Sequence, residues 1–150
     1  MPRSLHKAWV VAINMGFGHE RAAFGLKELA YGDIIVANDY PGIPATDRAR
    51  WKSTRSLYEF FSRLQPVPMV GQNLFDLMDH FQKIPSFYPR RDLSEPSLQV
   101  IESYRLIEKH QLGKDLIERL TRRNGRLPFI STFFLPAFAA EVFDYPGEIY

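Results

Sequence analysis

The hydrophobic pattern opens with a short unbroken run. Residues 7–14, Lys-Ala-Trp-Val-Val-Ala-Ile-Asn, are apolar at six successive positions and rich in β-branched side chains, and the run stops at Met15-Gly16-Phe17-Gly18. This reads as a strand buried on both faces and closed by a glycine loop. From His19 to Tyr31 the pattern changes period: Ala22, Ala23, Leu26, Leu29 and Ala30 recur at spacings of three and four, and Gly32 follows as a stop. That spacing predicts one amphipathic helix. Asp33 to Asn38, centred on Ile34-Ile35-Val36-Ala37, predicts a second buried strand. Strand, loop, helix and strand in this order make a right-handed βαβ unit with parallel strands.

Beyond Asp39 the strand signal lapses. Tyr40-Pro41-Gly42-Ile43-Pro44 reads as a loop, followed by helical patterns near 46–63, 70–83 and 95–123, the last broken around Gly113. The Pro-rich stretch from Pro85 to Pro96 is an irregular connection, and Asn124-Gly125 ends the last of these helices. Leu127 to Phe134 predicts a third strand, Pro136 to Phe143 a helix with proline near its first turn, and Gly147 to Tyr150 the opening of a fourth strand. The expected fold is α/β: one Rossmann-like domain over 1–150, a parallel sheet with helices on both faces and a long helical insertion at about 41–124. A strand cut off after two or three residues lacks ladder partners, so the sequence is expected to be the front part of a longer protein.

Composition narrows the function classes. With 150 residues, 45% hydrophobic and 14% aromatic, the chain has material for one core, and 24% charged residues suit a soluble domain. It has no cysteine, which excludes thiol nucleophiles, disulfides and cysteine-based zinc sites and points to a cytoplasmic compartment. No apolar stretch approaches the ~20 residues that span a bilayer, and no small-residue cleavage site follows the basic start. A net charge of +2 gives no general case for nucleic-acid binding, and strands that read as buried sheet offer no aromatic stacking platform. No nucleic-acid partner is expected.

Gly16 and Gly18 between strand and helix invite a dinucleotide reading, in which backbone amides at the helix start meet a phosphate and Asp39 holds a ribose. That pattern wants a third glycine at position 21, where this chain has Arg21. The fuller string Asn14-Met15-Gly16-Phe17-Gly18-His19-Glu20-Arg21-Ala22-Ala23 resembles the first loop of GT-B glycosyltransferases, in the branch of the diacylglycerol glycosyltransferases and the lipid-linked N-acetylglucosaminyltransferase of peptidoglycan synthesis. Gly18-His19, the small pair Ala22-Ala23, the helical stretch after the second strand, and Ser131-Thr132 before Pro136-Ala137 carry the likeness. It has fewer glycines than the peptidoglycan enzyme, and Met15 and Phe17 stand where small or polar residues are common.

The resemblance implies an acceptor-binding N-terminal half of a two-domain enzyme whose C-terminal half, beyond Tyr150, binds a nucleotide-sugar. It implies no cofactor, a nucleotide-sugar donor as substrate, and a small-molecule or lipid-linked acceptor. Within it His19 is the candidate catalytic base, since a helix N-terminus disfavours positive charge on the ring. Asn14, Gly16, Phe17, Gly18, His19, Asp39 and Thr132 are the candidate acceptor- or phosphate-binding residues. They follow from the expectation that ligands sit at the carboxyl ends of the strands, where 14–19, 38–41 and 132–135 converge. The alternative for His19 is a helix cap or a loop hydrogen bond; for the domain it is a nucleotide-binding or non-catalytic module.

Two further clusters have plain readings beside functional ones. Asp76, Asp79 and His80 have a spacing that can chelate a metal, but no third ligand accompanies them and a solvated face suffices, so no metal is assigned. Residues 48–64 carry five basic side chains against Glu59, interleaved with aromatics. Arg48, Arg50, Trp51, Lys52 and Arg55 are therefore candidates to face an anionic membrane, placing the protein peripherally at its inner face. Alternatively the aromatics pack on the domain and the arginines are its wet face. Arg119, Arg122, Arg123 and Arg126 fall at a helix end, where cations offset the dipole without a ligand.

Overall fold

A computed structural model of the chain describes residues 7–15, 17–64 and 96–150. Three parallel strands, β1 (Trp9–Ala12), β2 (Ile35–Val36) and β3 (Phe129–Ser131), form an open sheet in the order β2-β1-β3. Val11 stands between Ile35 and Ser131, and Trp9 faces Phe129. Beyond β3, Phe129 N–H donates to Glu148 O at 2.7 Å and Tyr150 N–H to Phe129 O at 2.8 Å, so the last residues start a fourth parallel pairing where the terminal pattern predicts it.

β1 is central, and its alternation divides the core in two. Trp9, Val11 and Ile13 point into the larger cluster, while Val10 and Ala12 point into the smaller. None of the five is more than 1% exposed, which accounts for the continuous apolar run. The smaller cluster is closed by Ala23 of α1 (Phe17–Phe24) together with Ala30, Leu26 and Ile34. On the other face α2 (Ala45–Leu64), α3 (Leu98–His110), α4 (Lys114–Asn124) and α5 (Phe134–Val142) supply Trp51, Ile107, Leu116, Ile117, Leu135 and Ala139. Helices thus cover both faces of the sheet.

The predicted helix over 19–31 is shorter than its periodicity. α1 ends at Phe24, and a separate 3-10 turn spans Lys27–Leu29. Gly25 weakens the helix, and the segment then gains sheet-like bonds: Ala8 N–H donates to Leu29 O at 2.9 Å and Tyr31 N–H to Ala8 O at 2.8 Å. These draw Ala30 into extended backbone beside the start of β1. The predicted break near Gly113 is present. Gln111 and Gly113 take φ of 53° and 82°, and the Gly113 N–H between α3 and α4 donates to the buried carboxylate of Asp47 at 3.1 Å. The strands are shorter than their apolar runs, and α5 begins two residues before Pro136. The helix predicted at 70–83 and the Asp76, Asp79, His80 cluster lie outside the described residues.

Candidate functional site

The carboxyl end of β1 leads through Asn14 and Met15 towards α1, which starts the crossover to β2. Gly16 and the Phe17 side chain lie outside the described residues. Gly18 is exposed in the first turn of α1, and a side chain there would meet nothing within 4 Å, so the backbone is open to an approaching group. His19 follows, half-buried.

Two reciprocal hydrogen-bond pairs hold this crossing to its neighbours. Toward β2, Asn14 N–H donates to Asn38 Oδ1 at 2.9 Å, and Asn38 Nδ2 donates back to Asn14 O at 3.0 Å. Toward β3, His19 Nδ1 lies 2.8 Å from Thr132 O, and Thr132 Oγ1 donates to His19 O at 3.0 Å. Thr132 is itself fixed by the sheet, its N–H donating to Val11 O at 3.0 Å. The Phe133 ring meets the imidazole edge-on, with centroids 4.9 Å apart at 70°. Ser131 Oγ donates to Phe133 O at 2.6 Å, holding the bend that brings this ring round.

The partner of His19 decides its tautomer. A carbonyl oxygen can only accept, so Nδ1 carries the proton and, in the neutral ring, Nε2 carries the lone pair. Nε2 has no hydrogen-bond partner among the described residues. The half-buried His19 therefore stands at the start of α1, above the ends of β1 and β3, with a ring nitrogen able to accept a hydrogen bond.

The remaining site candidates divide. Asn14, Gly18, His19 and Thr132 share this edge, whereas Asp39 is directed to α2: its carboxylate, 70% exposed, pairs with Arg48 Nη2 at 3.6 Å. Asn38 was missed as an individual; an asparagine directly after a buried apolar run is a residue type that bonds loop backbone, and that was its signal. A cavity of about 10 Å³, lined by Ala37, Trp51, Leu112, Leu135 and Ala139 among others, lies in the larger core, and none of the edge residues lines it.

Two of the membrane-facing candidates are corrected. Trp51 is 3% exposed and belongs to the larger core, because it shares a helix face with buried Asp47 one turn earlier and that face turns inward. Arg50 reaches inward along α2, where Nη1 donates to His110 O at 2.7 Å and lies 3.7 Å from Asp47. Arg48 and Lys52 remain exposed; the Arg55 side chain lies outside the described residues. In the second basic cluster Arg119, Arg122 and Arg123 have structural partners. Arg119 binds Asp115 at 2.6 Å and Gly42 O at 2.8 Å, Arg122 pairs with Glu118, and Arg123 lies over the Trp9 and Tyr31 rings.

Burial, then the hydrogen bond to Asp115, pushes the Tyr40 hydroxyl well above the usual tyrosine range, so it donates at 2.8 Å and stays neutral. Tyr40, Asp115 and Arg119 thereby pin the loop after β2 to α4. Among the described residues no group of three His, Asp or Glu side chains could hold a metal ion, and no helix is long and apolar enough to cross a membrane. No protein-family model, curated protein or solved structure matches the chain.

Proposed function

We propose that this chain is the acceptor-binding, Rossmann-like half of a GT-B glycosyltransferase, with His19 as the base that activates the acceptor hydroxyl. One observation carries the reading: His19 presents an Nε2 without a hydrogen-bond partner among the described residues, at the carboxyl edge of a parallel sheet and at the start of the helix that follows β1. The Gly18-His19 junction of the GT-B resemblance supports it. In the reaction the acceptor oxygen bonds to the anomeric carbon of the donor sugar as its proton passes to Nε2. The bond from that carbon to the nucleotide's phosphate oxygen breaks, and the nucleotide departs with the electron pair. The donor is held by a second half. The first N–H groups of α1 have no partner within the helix and favour an anionic group on the acceptor, such as a phosphate.

The test is transfer by the complete protein from a panel of nucleotide-sugars to hydroxyl-bearing lipid-phosphate and small acceptors. His19→Ala should lower turnover by ~10²–10⁴-fold with the circular dichroism spectrum unchanged. An unchanged rate removes the base role, and absence of transfer from every donor overturns the reading.

A further inference from the structure

We infer that Thr132 is a positioning residue that sets the tautomer and direction of the His19 ring, an inference that rests on the reading of His19 as the base. The residues are 113 apart in sequence and are joined in both directions: the Thr132 carbonyl accepts from Nδ1–H, and the Thr132 hydroxyl donates to the His19 carbonyl. One bond fixes which nitrogen is protonated, and the other fixes the backbone from which the ring projects. Neither can be made unless β3 is in register, because Thr132 is placed by its N–H bond to Val11 O, one rung beyond the Val11–Ser131 pairing. Phe133 closes a third side, its ring edge-on to the imidazole and so limiting rotation about the side chain.

The arrangement reverses the intrinsic preference of the side chain. A free neutral histidine in water is mainly protonated on Nε2, which would point a donor at the acceptor hydroxyl and leave no base there. Held by the Thr132 carbonyl, Nδ1 takes the proton and Nε2 becomes the acceptor. With its proton committed to His19 O, the Thr132 hydroxyl serves the ring rather than donating to a ligand.

The tautomer is readable directly from long-range ¹H–¹⁵N correlation spectra of the imidazole at about pH 8.5, two units above the ordinary histidine value. His19→Gln identifies the signals among those of the four histidines. The wild-type ring should show the Nδ1–H pattern. Thr132→Val keeps the carbonyl but frees the His19 backbone that aligns Nδ1 with it, and should therefore shift the tautomer ratio toward Nε2–H, by at most the roughly fivefold that one ordinary hydrogen bond is worth. Thr132→Ser restores the hydroxyl and should restore the ratio. A wild-type ring in the Nε2–H form overturns the inference without recourse to any variant, as does a folded Thr132→Val protein with the wild-type ratio. The spectra require no substrate. An Nδ1–H ring in a protein that transfers no sugar defeats the transferase reading and leaves the positioning role standing, whereas an Nε2–H ring ends the positioning role whatever the turnover.

Discussion

Asp47 is the carboxylate whose replacement separates a hydrogen-bond role from a charge role. It is 5% exposed on the inner face of α2, accepts the Gly113 N–H at 3.1 Å, and lies 3.7 Å from Arg50. Asp47→Ala removes the acceptor from a buried amide at the α3–α4 break, and an unsatisfied buried N–H costs about 1–3 kcal/mol. Asp47→Asn keeps an oxygen for that amide and discards the buried charge. What it loses is the attraction to Arg50, whose side chain is 35% exposed and still bonded to His110 O. A screened pair of that kind is worth less than about 1 kcal/mol. Asn should therefore remain within about 1 kcal/mol of wild type while Ala falls by roughly 2 kcal/mol. Burial, the largest cause, raises the Asp47 carboxyl above its ordinary 3.8; the Gly113 N–H and Arg50 oppose the rise, and Asp115 adds to it. A carboxyl raised on folding binds its proton more tightly in the native state. It contributes stability that is fully present below 3.8 and lost as pH rises through the folded value. Relative to wild type, Asp47→Asn should accordingly gain as pH climbs through that window and level off above it. Urea titrations followed by the fluorescence of the two buried tryptophans, Trp9 and Trp51, measure all three proteins. Equal losses for Asn and Ala, or an Asn–wild-type difference that moves the other way with pH, would refute this account.

The tryptophans make a second comparison. Trp9 Nε1 donates to Asn124 O at 3.0 Å, whereas buried Trp51 Nε1 has no hydrogen-bond partner among the described residues. Trp9→Phe should therefore cost about 1–2 kcal/mol more than Trp51→Phe in denaturant midpoints at constant slope, and equal costs would contradict it. Tyr145 gives an alkaline prediction. Burial pushes its hydroxyl up to about 12, despite the opposing Trp9 side chain, and it donates to Leu127 O at 2.6 Å. A tyrosine raised on folding contributes stability present below its ordinary value of 10.0 and lost as pH rises toward 12, so urea midpoints should fall across that interval and fall less in Tyr145→Phe.

The parts of the fold that follow from local chemistry were legible in the sequence. The β1 run is apolar at every position because both faces are covered, and a continuous run rather than an alternating one is what that demands. The break between α3 and α4 was legible because Gly113 adopts a backbone conformation that other residues rarely accept. The overlong first helix shows the opposite case. Ala22, Ala23, Leu26, Leu29 and Ala30 keep helical spacing, yet Leu29 and Tyr31 bond to Ala8, and a bond to a residue more than twenty positions away leaves no mark in a local period. Trp51 misled for a related reason. Its arginine neighbours imitate an interfacial helix, and only the inward placement of Asp47, one turn away, distinguishes the buried face from the wet one.

The site divides along the same line. Gly18-His19 at a strand-to-helix crossing marks a sheet edge open to a ligand, and that much is written in ten consecutive residues. What holds the His19 ring is written elsewhere. Thr132 reaches it because β1 and β3 are adjacent although the intervening chain contributes four described α-helices, and the Thr132 carbonyl faces Nδ1 because Val11 pairs with Ser131 rather than with a neighbouring residue. A register shift of one residue along β3 would turn the Thr132 groups to the opposite side of the sheet and release the imidazole. Phe129, fully buried beside β1, resists that shift, since moving it would expose one of the largest side chains of the core. The hydrophobic term that fixes strand register thus also fixes which nitrogen of His19 is basic, and a weakened Phe129 should loosen the ring before the sheet itself is lost.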